Sequence, residues 1–362
     1  MQDGGASFPI SQNGYGTRSW ISFLTLSAFV ENQSEKMKAE EDEAEQYVML
    51  TMEEPEAHLH PQAQRQLYTQ MQRFTGQKVI STHSPSVVAQ SELADYIYFS
   101  KQSGKTIVVR YATNHVSAIP EDKIVREVLN TRAEILFSSA IILCEGITEE
   151  LALPIFFNEY FGCSPYALGI NIVNTGGDTN YAPYLALIKN FNIPWLIFSD
   201  GESDAISAID FAIKTVFSSD YKDFTNIVII GNGDEYETYL LREGYGDIVL
   251  EAICEYEEDN DYINTYIQKL QGQKRKKKYV NKYSIDILRD YNRPNGRDDA
   301  LRDMCLEEKT EYALPVARKI VTAADTNRRI PPSIVKLFDE LAAKLGVPRV
   351  IRTEGISDET LS

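Results

Sequence analysis

No apolar run in the 362-residue sequence approaches the ~20 residues that a membrane-spanning helix needs. The opening residues show neither a basic segment nor a continuous apolar stretch, so the marks of a secretory signal are missing. Cysteine is scarce. Cys144, Cys163, Cys254 and Cys305 stand far apart with no CxxC pair, which excludes a disulfide framework and points to reduced thiols and a cytoplasmic address. Positive charge is in deficit, 36 Lys and Arg against 53 Asp and Glu, and a net charge of -17 excludes a chain that coats nucleic acid uniformly. Long heptad stretches are absent, which argues against a coiled-coil structural protein. The phosphate-cradling string G-x-x-x-x-G-K-[ST] is absent as well. Its nearest approach is Ser103-Gly104-Lys105-Thr106, but Phe99 stands where the first glycine belongs. That tetrapeptide falls between the β-rich runs Tyr96–Ser100 and Ile107–Tyr111, which predict a hairpin with a polar turn.

What is present fits a folded protein of two or three domains, with 43% hydrophobic and 25% charged residues. Charge is unevenly spread. Residues 31–56 hold ten acids against Lys36 and Lys38, and Glu251 to Asp261 forms a second acidic block. Against these stands one dense basic run, Lys274-Arg275-Lys276-Lys277-Lys278, which either contacts a polyanion locally or is a solvated surface loop.

Near the start, a loop containing Gly14 and Gly16 opens an apolar, helix-period run from Trp20 to Val30. Such a loop presents backbone N–H groups and a helix N-terminus to an anion. Residues 31–46 read as an exposed helix end or loop. A buried strand over residues 47–52 then ends in Glu53-Glu54-Pro55-Glu56-Ala57-His58-Leu59-His60-Pro61. Consecutive acids at a strand end are how a nucleotide hydrolase holds Mg²⁺ and positions a base for water. A helix (62–74), a short strand (78–80) and Ser81-Thr82-His83-Ser84-Pro85 follow. His58 and His60 are read as packing or capping residues.

From residue 139 onward, strand-length apolar runs alternate with helical patterns, which predicts a parallel sheet with helices on both faces. The run Ile141 to Cys144 stops at Glu145-Gly146, with Glu149 one helical turn later. Trp195 to Ser199 ends in Asp200-Gly201-Glu202-Ser203-Asp204. In an open α/β sheet these acids lie along the carboxyl edge, where such folds bind ligands. A nest of carboxylates suits Mg²⁺ or Mn²⁺, and two such ions ~4 Å apart can drive phosphodiester hydrolysis.

The set Glu-Glu-Pro-Glu-Ala-His-Leu-His-Pro followed by Ser-Thr-His-Ser-Pro resembles the Walker B, D-loop and H-loop of ABC-type ATPases. The pair Glu145 and Asp200-Gly201-Glu202, with Asn174, Gly177, Tyr184, Leu187, Phe191, Ile193 and Pro194 between them, resembles the Toprim domain of the OLD (overcoming lysogenisation defect) family. This resemblance implies an α/β fold: a partial ABC-type ATPase lobe at 1–115, a linker at 116–138, a Toprim core at 139–235 and a helical completion at 236–350. It implies that Glu53 helps hold Mg²⁺, Glu54 polarises water and His83 senses the γ-phosphate. The Gly14–Gly16 loop then takes the place of the signature motif. The Walker A lobe lies outside the sequence, so ATP binding requires that lobe to be supplied and ATP hydrolysis is not expected from this chain alone. For the Toprim part it implies metal ligation by Glu145, Glu149, Asp200 and Glu202 or Asp204, with a further acid at Glu237. Lys309 is the candidate for transition-state stabilisation, with Lys319 as fallback. Glu202 stands where the family has Asp. DNA is the implied substrate, a homodimer the implied assembly, and a companion helicase a further implied partner, in phage defence or DNA processing. The competing readings are a Toprim module that binds or regulates without cutting, and a topoisomerase or primase.

Overall fold

Where two parallel strands pair, each needs a crossover connection, and in this chain helices supply it. The structure, a computed structural model, describes residues 9–12, 14–39, 48–74, 76–102, 104–111, 119–177, 180–277, 279–280 and 285–349. These divide into two units. One holds the residues up to 111 together with Pro120–Phe137, and the other holds residue 119 and those from Ser138 on.

In the first unit, helix α1 (Tyr15–Ala39) extends past the expected apolar run, because the Glu and Lys residues that follow Val30 favour helix as strongly as the apolar ones do. Strand β1 (Met49–Glu53) pairs in parallel with β2 (Gln77–Ser81) across helix α2 (Pro61–Gln72). Phe23, Leu50, Leu67, Met71, Phe74 and Val87 form their shared core. Strands β3 (Ile97–Gln102) and β4 (Lys105–Arg110) make the antiparallel hairpin, and Gly104 takes a left-handed φ of 77° at its turn, so the Gly-Lys-Thr string is hairpin and not phosphate loop. Residues 120–137, expected to be linker, are instead folded into this unit. Ile124, Val128, Leu129, Ile135 and Leu136 recur at helical spacing and are buried.

The second unit is built on a four-stranded, wholly parallel sheet in the order β6-β5-β7-β8: β6 (Ile170–Asn174), β5 (Ala140–Cys144), β7 (Trp195–Ser199) and β8 (Ile227–Ile229). Every residue of β5 is buried, as a central parallel strand covered on both faces requires. The crossovers are α4 (Ile147–Phe161), α5 (Tyr181–Phe191) and α6 (Ser203–Phe217). Beyond β8 the chain is helical: α7 (Tyr236–Leu240), α8 (Gly246–Tyr256), α9 (Tyr262–Leu270), α10 (Gly296–Glu307), α11 (Lys309–Val321) and α12 (Pro332–Leu345). Helix α11 packs along both α4 and α8, so this region completes the core of the sheet domain. Among the described residues no helix is long and apolar enough to cross a membrane.

The basic run does not behave as one surface. Arg275 is buried, its Nε 2.9 Å from Asp303 Oδ2 and its Nη1 donating to the carbonyls of Asp286 (2.9 Å) and Leu288 (3.0 Å). Arg289 joins the network by donating to Glu307 and to the Lys274 carbonyl, while Tyr291 donates to Asp303 at 2.7 Å. Arg275 is therefore withdrawn as a DNA contact: a guanidinium with its charge matched inside the protein has none to offer a phosphate. Lys274, Lys276 and Lys277 are exposed, and Lys278 lies outside the described residues. Removing one partner of a buried ion pair strands the other. Asp303→Ala is expected to lower unfolding free energy by about 3–5 kcal/mol, read by urea denaturation, whereas Lys276→Ala on the exposed side leaves it within about 0.5 kcal/mol.

Candidate active site

Two groups of acids sit at strand ends, one in each unit. In the first unit, β1 runs out at Glu53, and Glu54 N donates to the Ser81 carbonyl at 3.0 Å, which brings the end of β1 beside the segment after β2. Glu54 adopts a left-handed φ of 42°, a strained choice for a side chain with a Cβ. Its carboxylate lies 3.7 Å from Nε2 of the exposed His83. Glu56, to which sequence reasoning gave no role, is buried and accepts from Thr82 Oγ1 at 2.6 Å and from His83 N at 3.0 Å. It ties the histidine-bearing turn to the acid-bearing one. His60 caps α2 by accepting from Gln62 N, the capping role expected of it. Gly16 is packed so closely that a Cβ there would lie 2.6 Å from the His58 carbonyl, while Gly14 faces open space.

In the second unit the carboxyl edge of the sheet gathers Glu145 after β5, Asp200 after β7 and Glu237 in the first turn of α7. Glu149 accepts from Gly146 N at 3.2 Å, so the first turn of α4 folds its carboxylate back towards Glu145. Glu150, its neighbour, is engaged instead by Asn174 Nδ2. Burial raises Glu149 to about 7, and the charges of Glu237 and Glu145 add to the shift. Burial likewise lifts Asp200 well above the usual carboxylate range, with Glu149, Glu237 and Glu145 contributing. Glu237 is raised by burial too, and Lys309 opposes the rise. Lys309 opens α11 and reaches this group: its Nζ is bonded to Glu235 and lies 3.2 Å from Glu237 Oε2. Burial pulls the ammonium down, but Glu237 and Glu235 more than offset it and hold the lysine above its ordinary value. Lys319, the fallback, pairs with Glu251 (2.7 Å) and Glu255 (2.5 Å) on α8.

Glu235 is the second residue that sequence reasoning passed over. It is buried at the N-cap of α7, and its position in Asp234-Glu235-Tyr236-Glu237 is the one signal that was available. Glu202 is half-buried at the N-cap of α6, whereas Asp204 is exposed on that helix's first turn, 3.4 Å from Ser203 Oγ. Gly201 has to be glycine, because a Cβ there would lie 2.1 Å from the Ile230 carbonyl. Its N–H donates to the Asp234 carbonyl at 2.9 Å, so the Asp-Gly-Glu turn is fastened to the loop after β8.

Carboxylate oxygens are the donors that hard divalent ions prefer. Among the described residues Asp200 Oδ1 is buried with no hydrogen-bond partner, a lone pair that a cation would satisfy. The donor set therefore fits such an ion. As the side chains stand, no three of the described His, Cys, Asp and Glu groups surround a common point, so binding would require carboxylates to turn inward.

Residues 136–201 match the model of the overcoming lysogenization defect protein-like TOPRIM domain, and residues 3–88 match that of an AAA ATPase domain. The chain carries an OLD-like TOPRIM domain after an AAA ATPase segment. It is 27% identical over 158 residues to an OLD nuclease of Thermus scotoductus, covering 41% of this chain and 30% of that protein. It is 24% identical over 198 residues to the Old nuclease of Escherichia phage P2, covering 53% of this chain and 33% of that protein. The chain thus spans about a third of the length of the curated relatives it matches. Among solved structures it is similar to the C-terminal region of the Xanthomonas campestris pv. campestris OLD protein, with a TM-score of 0.41 and 20% identity over 59% of this chain and 96% of that one. The corresponding region of the Burkholderia pseudomallei OLD protein gives a TM-score of 0.38 and 17% identity over 58% of this chain and 99% of that one.

A buried acid whose proton is held more tightly in the folded than in the unfolded state costs stability at every pH above its unfolded-state pKa. At pH 7.5 and without divalent ions, Asp200→Asn is expected to raise the melting temperature of the second unit. Added Mn²⁺ should then raise the melting temperature of the wild type and not that of the variant, as read by differential scanning calorimetry.

Proposed function

We propose that the chain is the nuclease-bearing part of an OLD-type endonuclease, cutting or nicking DNA with Mg²⁺ or Mn²⁺. The observation that carries this reading is the placing of Glu145, Glu149, Asp200 and Glu237 near enough to shift one another's or Lys309's proton affinity at the carboxyl edge of the sheet. The names of the two nuclease relatives support it. Asp200 and Glu202 would mainly hold one ion, while Glu145 and Glu149 would serve the other or be shared, with Glu237 beside them. Bound ions supply charge neutralisation and a more acidic water.

The chain's own residues do the rest. Glu145, which directly follows the fully buried strand β5, is the candidate catalytic carboxylate. Lys309 presents a cation to the scissile phosphate and offsets the negative charge that develops there. Glu235 holds that ammonium in place and is a positioning residue. Burial excludes water, which strengthens each of these interactions.

The ATPase-type residues Glu53, Glu54, His83, Gly14 and Gly16 would act on ATP once a Walker A lobe is supplied. A homodimer, a companion helicase, a cytoplasmic address and a role in phage defence or DNA processing complete the proposal on the strength of the family resemblance. A TOPRIM module that binds without cutting is the reading to be separated from it.

Plasmid nicking by the purified chain in Mn²⁺ is the test. Cleavage is expected, and EDTA should abolish it. Glu145→Ala and Asp200→Ala should each reduce it by more than about 100-fold, and Lys309→Met by about 10²–10³-fold with little change in DNA affinity. Nicking that survives in the Asp200→Ala and Glu145→Ala proteins, or no nicking at all, would sink the nuclease assignment.

A further inference from the structure

A groove of about 610 Å³ opens beside the acid cluster, between α6, α12 and the outer edge of β8. Gly201, the middle residue of the Asp-Gly-Glu turn, lines one end of it together with the loop Gly231-Asn232-Gly233. Tyr221, Lys222 and Lys336 line the groove as well.

Two of the cations in the unit line this groove without a carboxylate partner. Lys309, Lys319, Arg242, Arg275 and Arg289 are each held by a carboxylate. Lys222 and Lys336 are both exposed, and among the described residues neither has a carboxylate within ion-pairing distance. Both ammonium groups are therefore available to a phosphate, although Asp220, Asp223 and Glu340 stand close to them in the chain. The acid in the groove wall, Glu340, is already engaged by Thr225 Oγ1 at 2.9 Å.

The walls between these charges are apolar and aromatic. Phe224 packs tilted against the stacked Trp195–Phe217 pair and forms a fixed wall, with its ring centroid 5.7 Å from Trp195 and 5.4 Å from Phe217. Tyr221 is partly exposed, and the Lys222 ammonium lies 5.7 Å from its ring centroid. Aromatic faces interleaved with cations along a groove are how proteins grip a single nucleic-acid strand. The cations meet phosphates, and the rings stack on bases of any sequence. A duplex keeps its bases paired and inward, so it offers the ring nothing to stack on.

We propose that this groove is the track for one strand of the nucleic acid cut at the carboxylate cluster. Phosphates sit on Lys222 and Lys336, and an unpaired base stacks on Tyr221. The proposal deepens the nuclease reading and rests on it. It makes the preferred substrate single-stranded, frayed or gapped DNA, with the strand running from the groove past Gly201 into the site.

The test is fluorescence anisotropy of a labelled 20-nucleotide oligothymidylate and of a 20-base-pair duplex, with the full chain in Ca²⁺ and the salt raised from 50 to 200 mM. Lys222→Ala with Lys336→Ala is expected to weaken oligothymidylate binding about 10-fold and to flatten the salt slope by about 1.4. Tyr221→Ala should weaken single-strand binding about 5-fold or more and leave the duplex nearly unaffected. Circular dichroism and Mn²⁺-induced stabilisation should match the wild type in both variants, since the substituted side chains are surface groups away from the acids. An unchanged affinity in both variants, with plasmid nicking intact, would overturn the groove and leave the nuclease reading standing. Loss of affinity only when Lys274, Lys276 and Lys277 are replaced would move the track to that run. A shift from dimer to monomer in sedimentation on replacing Lys222 and Lys336 would assign the groove to a second copy of the chain and defeat the proposal. A wild type that neither binds the oligonucleotide nor nicks plasmid would remove the nuclease reading first.

Discussion

Several carboxylates forced into one buried edge of a parallel sheet are the constraint on which the second unit depends. Desolvation raises the proton affinity of Glu149, Asp200 and Glu237, and the charges of Glu237 and Glu145 raise it further at Glu149 and Asp200. Such a cluster cannot be left uncompensated, and the fold answers it with Lys309, brought from the start of a helix far along the chain. Most of the helical region after β8 can be understood as the frame that delivers this lysine. Helix α11 lies along α4, whose first turn carries Glu149, and α8 and α12 complete the apolar packing around both. Each element that looks like an appendage to the sheet thus bears on the electrostatics of its edge.

The same logic, with less burial, governs the first unit. Glu54 and His83 meet because β1 and β2 are adjacent parallel strands in register, Glu53 opposite Ser81. Glu56 then pins the two turns together through Thr82 and His83. A strained φ at Glu54 survives because the structure around it is tied from both sides. Both units therefore place acids at the exits of parallel strands and hold them there with contacts to the next strand's exit.

Much of this was legible in the sequence, for identifiable reasons. The strands of the second unit are short apolar runs closed by Glu-Gly, Asn-Thr-Gly-Gly or Asp-Gly-Glu, and those breaks fall within a residue or so of the observed ends. Glu145, Asp200 and Glu149 are visible because strand termini and helical turns have fixed geometry. Glu237 and Lys309 are visible through family resemblance, since nothing local says that position 309 faces position 237. Glu235 and Glu56 were missed because an acid at a loop or cap reads as solvated unless its burial is known, and burial is a tertiary property. Arg275 was misjudged for the mirror reason: inside a run of five cations it looks like its neighbours, and only the folded chain shows Asp303 waiting for it. The helical turns of residues 120–137 were undervalued because short segments lack the length to show a periodic face.

The distance along the chain between the acids and their lysine has a bearing on synthesis. Glu145 and Lys309 are far apart in sequence, and α11 cannot dock on α4 until it has left the ribosome. A nascent chain therefore exposes the acid-bearing strands well before their counter-charge exists, and the sheet edge stays electrostatically frustrated until the last third of the unit arrives. Completion of the fold and completion of the carboxylate–lysine cluster then become one event in time, so that a partly made chain holds the acids without their counter-charge.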